Sequence, residues 1–329
     1  MSSGENMSEP IFRIRNVRKS YGNHTVLNSI DLDIQQGEII GIIGGSGAGK
    51  TTFLHTLIGF IKPDEGDIEF RMNHLLSYKS AYVYKSVYAK QRLVKKIYGF
   101  ASQLPSFYDE LSPSENLEYF GLLHGLDKQT IKTNKKVLLD LMELEPAAHM
   151  PARNLSGGME RRLDIACSLM HDPDVLILDE PTADLDPVLR NHIWELIRKI
   201  NKKGTTIILS SHHLAELEDL CDRVAIIKDG GIIAQGKPEA LKKKYVTDQE
   251  IILRSTPGNY ASVKKGLAKK RIIHTEVKDG TLYIRTKNPE TDLSKILSVL
   301  KSKKERLSLI KVKGSSLDDV FIKIWNDNE

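Results

Sequence analysis

An apolar run at residues 38–43 leads straight into Gly44-Gly45-Ser46-Gly47-Ala48-Gly49-Lys50-Thr51, and no other feature constrains the fold as strongly. The run is strand-sized and apolar nearly throughout, as a strand covered on both faces must be. The segment after it fits the spacing G-x-x-x-x-G-K-[ST]. Such a loop turns successive backbone N–H groups toward one anionic object, and glycine keeps Cβ atoms out of the way. A helical pattern at 51–58 follows, and its N-terminus adds positive potential at the same point. Lys50 offers a compact cation for the β- and γ-phosphates of a nucleotide, and Thr51 offers a hydroxyl to Mg²⁺. A flexible surface turn is the bland alternative for a glycine-rich loop. The strand before it, the helix after it and the Lys-Thr pair favour phosphate binding. Gly44 to Thr51, with Thr52 next on the helix, are therefore the candidate nucleotide-binding residues of this segment.

A second apolar strand, Val175–Leu178, delivers Asp179-Glu180 at its C-terminal end. Ligands gather at that end of the strands in a parallel sheet. Asp179 is placed to hold the metal, directly or through water, and Glu180 to polarise an attacking water as general base. Alone, the pair reads equally well as solvated acids before a Pro181 turn. Beside a phosphate loop the chemical reading is stronger.

The remaining pattern supplies the scaffold. Residues 11–19 and 26–34 alternate apolar and polar positions and predict two antiparallel strands. A third buried strand, Thr205–Leu209, and a helix over 187–199 extend a parallel sheet covered on both faces. Helical spacing at 116–121 and 133–144 makes a helical middle section. The stretch 71–98 carries Tyr78, Tyr82, Tyr84, Tyr88 and Tyr98 among many lysines and reads as an inserted hairpin or helix. After Tyr245 the order becomes strand 250–254, helix 260–269, strand 271–277, an Asp279-Gly280 turn, strand 281–286, helix 292–301 and strand 307–312. That βαββαβ order is a split-βαβ, ferredoxin-like unit, closed by an amphipathic tail at 317–325. The expected division is a loose tail at 1–10, a nucleotide domain at 11–245 and an accessory α+β domain at 246–329.

Composition narrows the classes. A chain of 329 residues with 40% apolar residues is long enough for two domains. Cys167 and Cys221 sit apart in apolar helical patterns and read as two reduced, packed thiols. No apolar run approaches the roughly 20 residues of a membrane-spanning helix, so work at a membrane requires a partner or a docking surface. From residue 246 on, 17 Lys+Arg stand against 11 Asp+Glu, so the net charge of +5 lies in the C-terminal part. The lysines are dispersed, which favours a solvated face over a nucleic-acid or lipid patch.

Between the two motifs stands Leu155-Ser156-Gly157-Gly158, which resembles the signature of ATP-binding cassette (ABC) proteins. The surrounding order is similar to that family. Tyr21, in Lys19-Ser20-Tyr21-Gly22, resembles the aromatic that stacks on adenine. Gln103 resembles the Q-loop glutamine of the Mg²⁺ and water network. Ala183-Asp184-Leu185-Asp186 resembles the D-loop, and His212, followed by His213, the switch histidine that contacts the γ-phosphate. The resemblance covers nearly all of 11–245. It implies a P-loop NTPase cassette, α/β, with an antiparallel β subdomain and a helical subdomain.

It also implies ATP and Mg²⁺ as cofactors, with Thr51, Gln103 and Asp179 at the metal and Glu180, His212 and Gln103 in catalysis. Ser156, Gly157 and Gly158 are implied to reach ATP held by a second cassette, expected to be a copy of this chain, head to tail. Met159 departs from the family's usual glutamine, and Gly45-Ser46 from the Pro-Asn common in exporters; neither removes a phosphate donor. Leu317-Asp318-Asp319-Val320-Phe321 and the segment 108–117 resemble the ABC-2-type and drug-resistance exporter branch. The expected function is thus an ATP-hydrolysing transporter subunit at the cytoplasmic face of a membrane. A separate polytopic permease would be its partner and nucleic acid would not. A soluble ABC ATPase acting on nucleic acid or ribosomes is the alternative; its usual tandem cassettes, coiled coils and zinc insertions are absent from the sequence.

Overall fold

The computed structural model describes residues 9–72, 83–89, 91–212, 214–246, 249–270, 272, 274–314 and 316–326. The chain divides into two compact units, Met1–Lys237 and Pro238–Glu329.

In the first unit, alternation shapes β1 (Phe12–Tyr21) and β2 (His24–Ile34), which pair antiparallel with Phe12 opposite Ile34 and Tyr21 opposite His24. Phe12, Ile14, Leu32 and Ile34 are buried on one face, as a period of two requires. β3 (Ile39–Ile43) is buried at every position and runs into α1 (Lys50–Leu57). β4 (Glu65–Met72) and β5 (Val83–Ser86) complete an antiparallel sheet in the order β2-β1-β4-β5. α2 (Gln91–Ile97) and β6 (Tyr98–Ala101) follow. The Tyr/Lys-rich stretch therefore contains both a hairpin strand and a short helix; Tyr78 and Tyr82 lie outside the described residues. Its tyrosines are anchors: Tyr88 donates to the Thr56 carbonyl at 2.7 Å and Tyr98 to the Ile58 carbonyl at 3.0 Å, fastening the end of α1. The expected loose tail is likewise pinned at its last two residues. Tyr84 donates to the Pro10 carbonyl at 2.6 Å and Arg13 pairs with Glu9.

The helical section is α3 (Pro113–Leu123), α4 (Lys128–Leu141) and α5 (Gly157–Ser168), with α3 packed on both others. α3 and α4 begin earlier than apolar spacing predicts. Their starts are fixed by caps, a Ser112/Glu115 capping box and the Asp127 carboxylate. β7 (Val175–Asp179), α6 (Pro187–Asn201), β8 (Thr206–Ser211), α7 (Leu214–Leu220), β9 (Arg223–Lys228) and β10 (Gly231–Gly236) close the unit. The larger sheet runs β10-β9-β3-β8-β7-β6, parallel throughout except for β10. Phe12, Ile14, Phe70, Phe53 and Leu54 of α1, and Ile177 of β7 belong to one buried cluster. One core thus serves both sheets. Cys167 and Cys221 are free and buried, and burial raises both thiol pKa values.

A histidine pair closes the helical section. The rings of His124 and His171 stack at 3.7 Å, and His171 Nε2 lies 3.1 Å from the Tyr98 carbonyl. A carbonyl only accepts, so Nε2 carries the proton, and the buried Nδ1 has no hydrogen-bond partner among the described residues. Protonating Nδ1 would strand an N–H. Burial, then the neighbouring His124, lowers the His171 pKa to about 4. The folded value lies below the ordinary 6.5, so the unfolded chain binds more protons between the two. Stability is complete above pH 6.5 and is lost as pH falls toward 4. The stability measured by urea unfolding is expected to drop by about 2 kcal/mol between pH 7 and pH 5 on this account, and His171→Phe to flatten that slope. An unchanged slope in the variant would refute the assignment.

In the second unit α8 (Pro238–Tyr245) packs against α11 (Leu317–Asn326). That contact explains why the unit begins at Pro238 when the sequence pattern changes only at 246. Between them lie β11 (Gln249–Thr256), α9 (Tyr260–Lys269), β12 (Thr275–Lys278), β13 (Thr281–Thr286), α10 (Pro289–Ser302) and β14 (Arg306–Lys313). The sheet order β12-β13-β11-β14, antiparallel at every pairing, is the ferredoxin-like arrangement. Asp279 and Gly280 both take positive φ in the β12–β13 turn, as a two-residue hairpin of this kind requires. Ile251, Leu253, Val263, Leu267, Leu282 and Ile296 form its core.

Candidate functional site

Parallel β3, β6, β7 and β8 end on one edge of the sheet, and the candidate residues follow from those ends. Gly44 to Gly49 bridge β3 and α1. Two glycines there are sterically required. A Cβ on Gly44 would stand 2.7 Å from the Ile227 carbonyl oxygen, and one on Gly49 2.7 Å from that of Val26. Gly49 also holds φ +99° at the N-cap of α1, but the left-handed backbone alone would cost only about 1–2 kcal/mol. The clash decides the matter. Lys50 Nζ folds over the loop and donates to the carbonyls of Gly44 at 3.0 Å and Gly45 at 3.2 Å. Thr51 is exposed and Thr52 half-buried on the first turn of α1, while Ser46 and Gly47 are exposed and Ala48 half-buried in the loop.

Register brings the carboxylates to that loop. Asp179 pairs with Ser210 across β7 and β8, and Ile43 with Ser211 across β3 and β8. Asp179 is buried; Glu180 has φ +50°. One Glu180 oxygen lies 3.8 Å from Lys50 Nζ and the other 2.8 Å from His212 Nδ1. Lys50, Glu180 and His212 thus form one chain of contacts at the mouth of the loop. His213 lies outside the described residues. Ser210, which pattern reading missed, donates to Asp179 Oδ1 at 2.5 Å and accepts from the Glu180 backbone N–H at 2.9 Å. Its hydroxyl spaces the two acids. Hydroxyl residues ending a buried strand, two residues before His212, are the available signal.

Gln103 is exposed just beyond β6, and Tyr21 is exposed at the turn between β1 and β2 with Lys19 Nζ 5.6 Å from its ring centre. Neither makes a hydrogen bond to Glu180. Ser156 caps α5, accepting from the Met159 N–H at 3.4 Å. That cap needs only a backbone donor, so methionine in place of glutamine leaves it intact. Ser156 and Gly157 are exposed, and Gly158 is packed against Leu189 of α6.

A second missed residue lies behind these motifs. Arg161, buried on α5, donates to the carbonyls of Ser102 at 2.6 Å, Pro181 at 2.8 Å, and Asp179 and Glu180 at 3.1 Å each. It also reaches Asp164 Oδ2 at 3.4 Å, while Asp164 Oδ1 accepts from the Ser106 N–H at 2.9 Å and hydroxyl at 2.6 Å. Burial lowers the Arg161 pKa and raises that of Asp164, and each is opposed by the other's charge. Charged residues three apart on the buried side of a helix were the sequence signal.

The described residues contain no cluster of three or more His, Cys, Asp or Glu able to hold a metal by itself. The glycine cradle, the cation over it and a single buried carboxylate fit a metal that arrives with a phosphate chain.

A family profile described as ABC transporter matches residues 27–183. The chain is 35% identical over 312 residues to the Nod factor export ATP-binding protein I of Burkholderia lata, covering 94% of this chain and 95% of that one. Among solved structures, cbiO1 of Clostridium perfringens, part of the ABC transporter complex cbiONQ, superposes with a TM-score of 0.63 at 28% identity. It covers 72% of this chain and 92% of its own. A cassette solved as a post-hydrolysis dimer bound to ADP and Pi gives a TM-score of 0.58 at 25% identity, covering 69% of this chain and 98% of that one.

Proposed function

Because this chain belongs to the ABC transporter family as an ATP-binding, ATP-hydrolysing subunit, we propose that it works as one of two paired cassettes beneath a separate polytopic permease, in an exporter. The observation that carries the site is the Lys50–Glu180–His212 chain at the loop between β3 and α1. Gly44 to Thr52 cradle the phosphates, Lys50 neutralises the β- and γ-groups, and Tyr21 stacks on adenine. Thr51 and Asp179, with Gln103 beside them, hold Mg²⁺, which when bound neutralises charge on the phosphate oxygens. Glu180 accepts a proton from the attacking water and His212 contacts the γ-phosphate. Ser156, Gly157 and Gly158 face ATP on a second copy, head to tail, using the N-terminus of α5.

The unit ending at Lys237 serves as the ATP-binding domain and the unit from Pro238 as an accessory one. Export is supported by relatives that span both parts: the Burkholderia lata protein, named for export, covers 94% of the chain. No helix among the described residues is long and apolar enough to cross a membrane, so the transport path is assigned to the partner. The docking face is Gln103 and the helical segment after it, which expose apolar side chains: Leu104 is 78% and Leu123 67% exposed. The site lies at the cytoplasmic side, where ATP is. Gentle-detergent purification from native membranes is expected to recover a stoichiometric polytopic partner. Recovery only in the soluble fraction, with ribosomes or nucleic acid, would overturn transport.

A further inference from the structure

We propose that Arg161 links the two ATP sites of a cassette pair, by holding this chain's own catalytic turn to the helix whose N-terminus faces the partner's nucleotide. The proposal rests on the paired-cassette reading above. A guanidinium has five N–H donors. Arg161 directs them to five acceptors: the carbonyls of Ser102, Asp179, Glu180 and Pro181, and the Asp164 carboxylate. Three of those carbonyls belong to the turn that presents Asp179 and Glu180. There Glu180 keeps the left-handed backbone that a non-glycine residue holds only when its surroundings enforce it.

The Ser102 carbonyl immediately precedes Gln103. Asp164, one turn further along α5, grips Ser106 on the other side of Gln103. Both flanks of Gln103 and the whole carboxylate turn are therefore bonded to one helix. That helix begins at Ser156-Gly157-Gly158. When the partner's ATP draws this N-terminus, α5 cannot move without carrying Arg161, and with it Glu180 and Gln103. Arg161 touches no phosphate; it is a positioning residue. Lysine has three donors on one nitrogen and glutamine two, so neither can hold all five acceptors.

The test is steady-state hydrolysis by the full-length chain over a range of MgATP, comparing the parent with Arg161→Lys, Arg161→Gln and Asp164→Asn. The parent is expected to show a Hill coefficient above 1. Both Arg161 variants are expected to keep ATP affinity within about twofold, lose about tenfold or more in kcat through misplacement of the reacting groups, and fall to a Hill coefficient of about 1. Asp164→Asn, which keeps one oxygen to accept from Ser106 and gives up the charge facing Arg161, leaves the four carbonyl contacts of Arg161 in place and is expected to shift both values less and in the same direction. A purely structural role would lower the melting temperature and leave the Hill coefficient of the folded fraction unchanged, and that result overturns the proposal. Parent turnover with a Hill coefficient of 1 overturns the linkage and leaves the ATPase standing. No parent turnover overturns the reading on which the proposal rests.

Discussion

Glu180→Gln is expected to cut ATP turnover by roughly 10²–10⁴-fold, the usual worth of a general base, while ATP affinity stays near the parent value. The substitution changes one atom type and almost no volume. The position itself is held through the backbone: Ser210 accepts from the Glu180 N–H, and Arg161 donates to its carbonyl. The amide therefore stays where the carboxylate was, beside His212 and Lys50. What it loses is the ability to take a proton from water. ATP binding relies on the loop and Lys50, which the change leaves in place. Turnover comparable to the parent would show that the base is another group.

Lys50→Ala is expected to act on the opposite quantity. Hydrogen bonds to charged groups contribute about 1.5–3 kcal/mol, so removing the cation folded over the loop should weaken MgATP binding by about 10- to 150-fold. The fold should tolerate it. Among the described residues Lys50 Nζ reaches the carbonyls of Gly44 and Gly45 and the Glu180 carboxylate, all at the open mouth of the site. The packing of α1 rests instead on buried Phe53, Leu54 and Leu57. A nucleotide titration of the variant, beside its melting curve, checks both halves. Unchanged affinity would remove the loop between β3 and α1 from nucleotide binding.

Particular residues show why much of this site is legible in sequence. The chemistry of the loop is local: Gly44 to Thr51 carry their spacing, their glycines and their cation within one segment, and β3 before them is apolar because it is buried on both faces. Asp179-Glu180 is legible for the same reason. The sequence pattern read above does not mark the strands β6, β9 and β10. β6 has only four residues, one of them Gly99, and its strand character comes from pairing with β7. β10 contains two glycines in six residues and is fixed by β9. Tertiary pairing overrides weak local preference in β6 and β10, whereas β9, with Val224-Ala225-Ile226-Ile227 buried, carries its strand signal in its own residues. Arg161 and Ser210 escaped for a related reason. Their partners are backbone carbonyls, a backbone N–H and acids, nearly all of them tens of residues away in the chain, which no local spacing announces.

Pairing of two cassettes around ATP is the central claim, and Glu180→Gln gives its most direct measurement. The mass of the purified variant would be determined by light scattering, with and without MgATP. The expected mass is that of one chain without nucleotide and of two chains with it, because ATP joins the pair and the variant hydrolyses it too slowly to part them. A variant that binds MgATP and keeps the mass of a single chain would contradict the account.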